Sequence, residues 1–147
     1  MDRTRIEYAL SRAQDTKEFV ISEGALQRAK EVFSRHFTGK KAFIVTDSVI
    51  FNAVAKEVYR DFRKEGLSFS EPFIFPGEPV LHAEYELSLE LVSAMEETDA
   101  VPVAIGSGTI NDLVKLASQM LSRPYLVIPT AASVDGYSSY GAAIVKD

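Results

Sequence analysis

The 147-residue chain contains no cysteine, which excludes a disulfide framework and any metal site built on thiolates. It has only two histidines, His36 and His82, and they lie in unrelated segments. No apolar run approaches the roughly 20 residues needed to cross a bilayer. The opening stretch from Met1 to Lys17 is charged and lacks the apolar segment of a secretory signal. Positive charge is also scarce: 16 Lys and Arg against 21 Asp and Glu give a net charge of -5. Without a clustered basic excess, a nucleic-acid surface is excluded. What is present is a 46% hydrophobic chain of ordinary composition, long enough for one domain with its own core and too short for two. The natural class is a cytoplasmic enzyme or binding domain.

Apolar spacing then organises the chain. A weak helical pattern covers Ile6 to Asp15, and Glu18 to Ser22 (EFVIS) reads as a short edge strand. From Gly24 to Phe37 the residues Leu26, Ala29, Val32, Phe33 and Phe37 recur at intervals of three and four, which predicts an amphipathic helix ended by Gly39. Ala42 to Thr46 (AFIVT) has no polar alternation, the pattern of a parallel strand covered on both faces. Helical spacing returns through Val49, Val54, Val58 and Phe62 and closes at Gly66. A strand at Phe73 to Phe75, a turn at Pro76 to Pro79 and a helix over Ala83 to Met95 follow. The run AVPVAI then leads through Gly106-Ser107-Gly108 into another helix. Pro102 cannot donate to a ladder and belongs near that strand's start. Tyr125 to Ile128 is a further strand, and Ala142 to Val145 a possible last one. Repeated βα units of this kind predict an α/β fold: an open, mostly parallel, Rossmann-like sheet with helices on both faces.

Ligands of such sheets bind beyond the carboxyl ends of the strands, which singles out three positions. Gly106-Ser107-Gly108 stands between a strand and a helix, where small residues let the backbone approach a pyrophosphate and the helix start favours its charge. The same glycines also suit a turn needed only for geometry, and the pattern is neither GxGxxG nor a P-loop. Asp112 lies in the first helical turn on this reading; beside a phosphate it would repel, so it should point away and brace the loop. Asp47 closes AFIVT. Its carboxylate suits the two hydroxyls of an adenosine ribose, would repel a 2'-phosphate, and equally suits an N-cap. The third position is Pro129 to Ser139 (PTAASVDGYSS), whose hydroxyls and one carboxylate among small residues suit a hydroxylated ligand, or simply a surface loop.

Taken together, VTD, GSGTINDLVKLAS and VIPTAASVDGYSSYGAAI resemble the glycerol-1-phosphate dehydrogenase family, over about Glu18 to the end. Its superfamily also holds glycerol dehydrogenases, iron-dependent alcohol dehydrogenases and 3-dehydroquinate synthases. The order PTAAS-x-DG is similar to the glycerol-1-phosphate branch, while GSG departs from the triple glycine common in the superfamily. The resemblance implies a dehydroquinate synthase-like N-terminal domain and an NAD or NADP cofactor. It places Asp47 on the adenosine ribose, Gly106, Ser107 and Gly108 on the pyrophosphate, and Thr130, Ser133 and Ser139 on the nicotinamide side. Asp135 would lie against a polyol or polyol-phosphate substrate.

The family holds a divalent metal, usually zinc or nickel in this branch, on one Asp and two His of a helical C-terminal domain. Neither His36 nor His82 lies in a matching motif, so no metal site and no catalytic residue is assigned to this chain. The expectation is that residues 1–147 are the NAD(P)-binding domain alone, inactive by itself and possessing an apolar face that could promote a homodimer. A glycerol dehydrogenase-like or 3-dehydroquinate synthase-like domain is the alternative within the superfamily, and a stand-alone nucleotide-binding module the alternative outside it.

Overall fold

The structure is a computed structural model that describes residues 3–64, 66–131 and 136–146. Helices α1 (Arg3–Arg12) and α2 (Ala25–His36) precede the first strand, β1 (Ala42–Asp47). A continuous helical stretch follows: α3 (Ser48–Ile50), a wider π-helical turn (Phe51–Ala55) and α4 (Lys56–Lys64). Then come β2 (Phe73–Phe75), α5 (Tyr85–Glu96), β3 (Val101–Gly106), α6 (Gly108–Met120) and β4 (Leu126–Pro129). The four strands form one sheet in the order β2-β1-β3-β4, and every pairing is parallel.

The covered-strand reading is visible in the burial. Ala42 to Val45 and all of β3 are buried, because each face of the sheet meets a helical layer. Ala42, Ile44, Val101, Val103 and Ile105 pack with Ala29 and Phe33 of α2 and Val58 and Phe62 of α4. The alternate residues Phe43, Val45 and Ala104 pack on the other side with Leu91 and Met95 of α5 and with Ile110, Leu113, Val114 and Ala117 of α6. Two-residue alternation along each strand thus feeds two cores. The α2 and α4 helices lead into turns in which Gly39 and Gly66 take left-handed backbone angles.

Pro102 pairs opposite Phe43. The Val101 N–H points to β1, bonding to the Lys41 carbonyl, so the next position along the strand faces β4. Pairing with β4 begins only at Val103, opposite Leu126, and the missing proline N–H therefore interrupts no ladder bond.

Two expected strands are not strands. Glu18 to Ser22 has no sheet partner among the described residues; its anchor is instead the Glu18 carboxylate, which receives Arg35 Nη1 at 2.6 Å and lies 2.7 Å from His36 Nε2. A β-branched stretch needs a free sheet edge to become a strand, and local preference cannot supply one. Similarly, the segment at Ala142 to Val145 makes a single bridge, Glu84 with Val145, fastening it to the start of α5. Among the described residues, no helix is long and apolar enough to cross a membrane.

Candidate functional site

The chain leaves β1 toward β2 on one side and reaches β3 on the other. The carboxyl ends of β1 and β3 are therefore the topological switch point of the sheet, where two βα connections part and open a crevice. The register that pairs Val45 with Ala104 carries Asp47 and Gly106 to this edge together.

Asp47 caps the helix after β1: Oδ1 accepts from both Val49 N and Ile50 N at 2.9 Å. Both bonds fall on one oxygen, so Oδ2 remains for another partner. Next to it, the Ser48 hydroxyl accepts from Gly77 N at 2.9 Å, which draws the loop after β2 to the same rim.

Gly106 ends β3 where the chain turns against α6. A β-carbon there would lie 2.7 Å from Ile110 Cγ1 and 2.8 Å from Ile110 Cβ, so only glycine permits this strand-to-helix approach. Ser107 occupies the N-cap position in extended geometry, and its side chain makes no cap bond. The first intrahelical bond is Asn111 N to the Ser107 carbonyl at 3.1 Å. The amides of Gly108, Thr109 and Ile110 precede it and point out of the helix end, an arrangement suited to an anion. Thr130 is held at this level by its N–H, which donates to the Gly106 carbonyl at 3.0 Å.

Asp112 sits one turn deeper in α6 than the sequence reading placed it, as the fifth residue of the helix. It lies on a flank of α6, with Lys115 Nζ 3.9 Å away. Burial raises its carboxyl above the ordinary Asp range, against the lowering by the Ala143 backbone and by Lys115. Lys115, unremarked in the sequence, is only 7% exposed. Its ammonium donates to the Gly136 carbonyl at 2.9 Å, Ser139 Oγ at 3.2 Å and the Gly141 carbonyl at 3.0 Å. Burial lowers its pKa, and the Asp112 charge opposes that shift. The carbonyl distances show that the backbone oxygens hold this ammonium more closely than the carboxylate does.

The Ser139 hydroxyl is directed into its own loop, near the Gly136 and Gly141 carbonyls as well as Lys115. Tyr137 donates to the Ala131 carbonyl at 2.8 Å. Ser133 and Asp135 lie outside the described residues. Beneath the crevice, Asn111 is buried; its Oδ1 accepts from Tyr125 at 3.4 Å while its Nδ2 has no partner among the described residues.

Sequence reasoning missed Lys115 and also Arg123. Arg123 Nη1 donates to the Met95 and Thr98 carbonyls at 2.6 Å each, closing the end of α5. An isolated Lys or Arg in an amphipathic pattern reads as a solvated residue, and only distant carbonyls reveal otherwise.

His36 is engaged by Glu18, and His82 follows the Pro79 turn. Among the described residues no three His, Asp or Glu side chains converge in a way that could hold a metal. Two surface depressions, of about 800 and 500 Å³, run along α4 and beside residues 66–69. The smaller is lined by Lys41, just before the amino end of β1, on the opposite side of the sheet from the switch point. The strand-end chemistry, not cavity volume, marks the candidate site.

The sequence pattern of iron-containing alcohol dehydrogenases matches residues 20–147. The chain belongs to that family. Among similar proteins, the glycerol-1-phosphate dehydrogenase [NAD(P)+] of Bacillus velezensis is 34% identical over 123 residues, 80% of this chain and 31% of the relative. That of Methanosarcina barkeri is 31% identical over 134 residues, 89% of this chain and 35% of the relative. The chain thus spans about a third of the length of these curated relatives. A solved glycerol dehydrogenase from Schizosaccharomyces pombe superposes with a TM-score of 0.61 at 17% identity, covering 84% of this chain and 32% of that one. A 2-epi-5-epi-valiolone synthase from Streptomyces hygroscopicus, solved with NAD+ and Zn2+ bound, gives 0.60 at 22% identity, covering 82% and 35%. At these identities the two structures establish the shared fold.

Proposed function

We propose that this chain forms the dinucleotide-binding part of an NAD(P)-dependent polyol-phosphate dehydrogenase, with glycerol 1-phosphate and dihydroxyacetone phosphate as its substrate pair. The observation that carries the reading is the pairing, across one switch point, of a strand-end carboxylate with an uncapped helix start that only glycine can join to its strand. A dinucleotide needs both features: hydrogen-bond acceptors for its ribose and N–H donors for its pyrophosphate. The names of the relatives from Bacillus and Methanosarcina support the choice of substrate within the family.

In this assignment the free Oδ2 of Asp47 takes the adenosine ribose and favours NADH over NADPH, because a carboxylate repels a 2'-phosphate. The amides at Gly108 to Ile110, reached through Gly106 and Ser107, take the pyrophosphate. Thr130 and Ser133 serve the nicotinamide side, and Asp135 the substrate hydroxyls. Ser139, its hydroxyl turned into the loop, shapes that wall. Bound nicotinamide supplies hydride transfer at its C4; the residues of this chain bind and orient it. The described residues do not fit a zinc or nickel ion, so no step is assigned to a metal on them. A cytoplasmic location and a homodimer complete the proposal.

Calorimetric titration with NADH and then NADPH tests it. NADH binding that weakens in Asp47→Ala supports the assignment, and failure of the parent chain to bind either nucleotide refutes it for these residues.

A further inference from the structure

We propose that Lys115 and Asp112 form a latch that fixes the segment after β4 against α6, and that they are positioning residues for the nicotinamide and substrate wall of the crevice. The inference rests on the dinucleotide reading above for its functional consequence, though not for its geometry.

An ammonium has three protons, and Lys115 directs them at three acceptors 21 to 26 residues away along the chain: Gly136 O, Ser139 Oγ and Gly141 O. Three residues earlier on α6, the Asp112 carboxylate lies beside this ammonium, Oδ1 3.9 Å from Nζ. Lys115 therefore grips three positions of the segment from Gly136 to Gly141, with the Asp112 carboxylate next to its ammonium. The segment's other anchors are the Tyr137 hydroxyl, which donates to the Ala131 carbonyl, and, further on, the Val145 bridge to the start of α5. Ser139 and Tyr140 are exposed, Tyr140 to 79%, and the short turn at Gly136–Ser138 closes with one backbone bond, Ser139 N to Gly136 O. A charge this deeply buried is retained only where its hydrogen-bonding capacity is filled, and the cost of removing it falls on the carbonyls left behind.

The position of the latch explains its role. Asp112 and Lys115 occupy the second turn of the helix whose first turn presents the free amides. The latch thus sets the distance between the pyrophosphate end of the crevice and the wall that follows β4. The Ser139 hydroxyl, which accepts from Lys115, belongs to the latch and not to the ligand contacts.

The absence of cysteine from the chain allows a precise test. Lys115→Cys, alkylated in denaturant with bromoethylamine and refolded, regains an ammonium on a lysine-length stem; alkylation with bromopropane gives a neutral stem of the same length. Hydrogen exchange resolved by peptide is read without ligand. Expected is a rise of about tenfold or more in exchange over residues 136–146 for Lys115→Cys and its propyl adduct, with β1 and β3 unchanged. The aminoethyl adduct should return to near the parent rate. Unchanged exchange in that segment, or equal recovery by the propyl adduct, overturns the latch. Should Lys115→Cys lose protection in the sheet as well, Ser139→Ala decides: a rise of about threefold confined to 136–146 supports the latch and no rise overturns it. NADH titration of the same proteins separates the two readings. Affinity lost in the propyl adduct and regained in the aminoethyl adduct supports the positioning role, and equal affinity in both overturns it. A parent chain that binds no NADH refutes the dinucleotide assignment and leaves the exchange result standing.

Discussion

Replacing Gly106 with alanine is the sharpest perturbation of the strand-to-helix junction. The added methyl would sit 2.7 Å from Ile110 Cγ1 and 2.8 Å from Ile110 Cβ. Cγ2 also lies 3.3 Å away, so a rotamer change exchanges one γ-carbon contact for another, and Cβ is fixed to the α6 backbone. Ile110 is itself fully buried among Val45, Phe75, Ala104 and Leu113 and has no space to retreat into. The helix must move away from β3, and overpacking of this kind costs about 2 kcal/mol. For a chain of this size that corresponds to a fall in Tm of roughly 6 °C. Gly141→Ala is the control: nothing lies within 4 Å of its β-carbon position and its φ is not positive. It should be neutral or stabilising by about 0.5 kcal/mol through the unfolded state.

Thermal unfolding followed by far-ultraviolet circular dichroism, at one concentration and scan rate, measures both variants. The cause is checked with Ile110→Ala, which removes the γ-carbons and alone costs about 3 kcal/mol. If the clash is real, the double variant is less destabilised than the sum of the singles by about 1 kcal/mol. A Gly106→Ala protein melting within about 1 °C of the parent, or strict additivity with Ile110→Ala, refutes the reasoning.

Asp47→Ala should lose about 1 kcal/mol of stability because both capping bonds at Oδ1 disappear, while Asp47→Asn retains the cap and melts with the parent. The Asn variant should nevertheless show a lower ratio of NADH to NADPH affinity by calorimetry; an unchanged ratio removes the ribose from Asp47. The Tyr125 phenol is pushed up to about 12 by burial and secondarily by the Asp112 charge, from its ordinary 10.0. A raised phenol contributes stability below pH 10 that is lost as pH rises toward 12. The Tm advantage of the parent over Tyr125→Phe should therefore shrink over that interval, and a constant difference contradicts it. At Glu18, burial alone would raise the carboxyl, but hydrogen bonds from His36 and Arg35 outweigh it and bring the pKa below 4.5. A lowered carboxyl contributes stability above pH 4.5 that is lost as pH falls through its folded value. The small Tm difference between the parent and Glu18→Gln should vanish in acid, and a difference that widens there reverses the sign of the argument.

Much of this protein is legible in its residues. AFIVT and AVPVAI lack polar alternation because a strand covered on both faces has no solvent side, and both became central strands. The spacing of Leu26 to Phe37 marked a helix because one stripe must meet the sheet. The strand ends at Asp47 and Gly106 followed directly, since parallel topology puts them on one edge. What local pattern could not provide was the destination of chain segments that compete for sheet edges. EFVIS has strand-forming residues and found a side-chain anchor on α2 instead, and the segment ending at Val145 found the start of α5. Nor could it reveal long side chains that satisfy remote carbonyls. Lys115 and Arg123 look like solvated charges until folding brings Gly136, Gly141, Met95 and Thr98 to them. Periodicity reports which face of an element is buried, because that depends only on neighbours in sequence. Which distant groups complete a buried charge depends on how the elements pack, and that was decided by the tertiary structure alone.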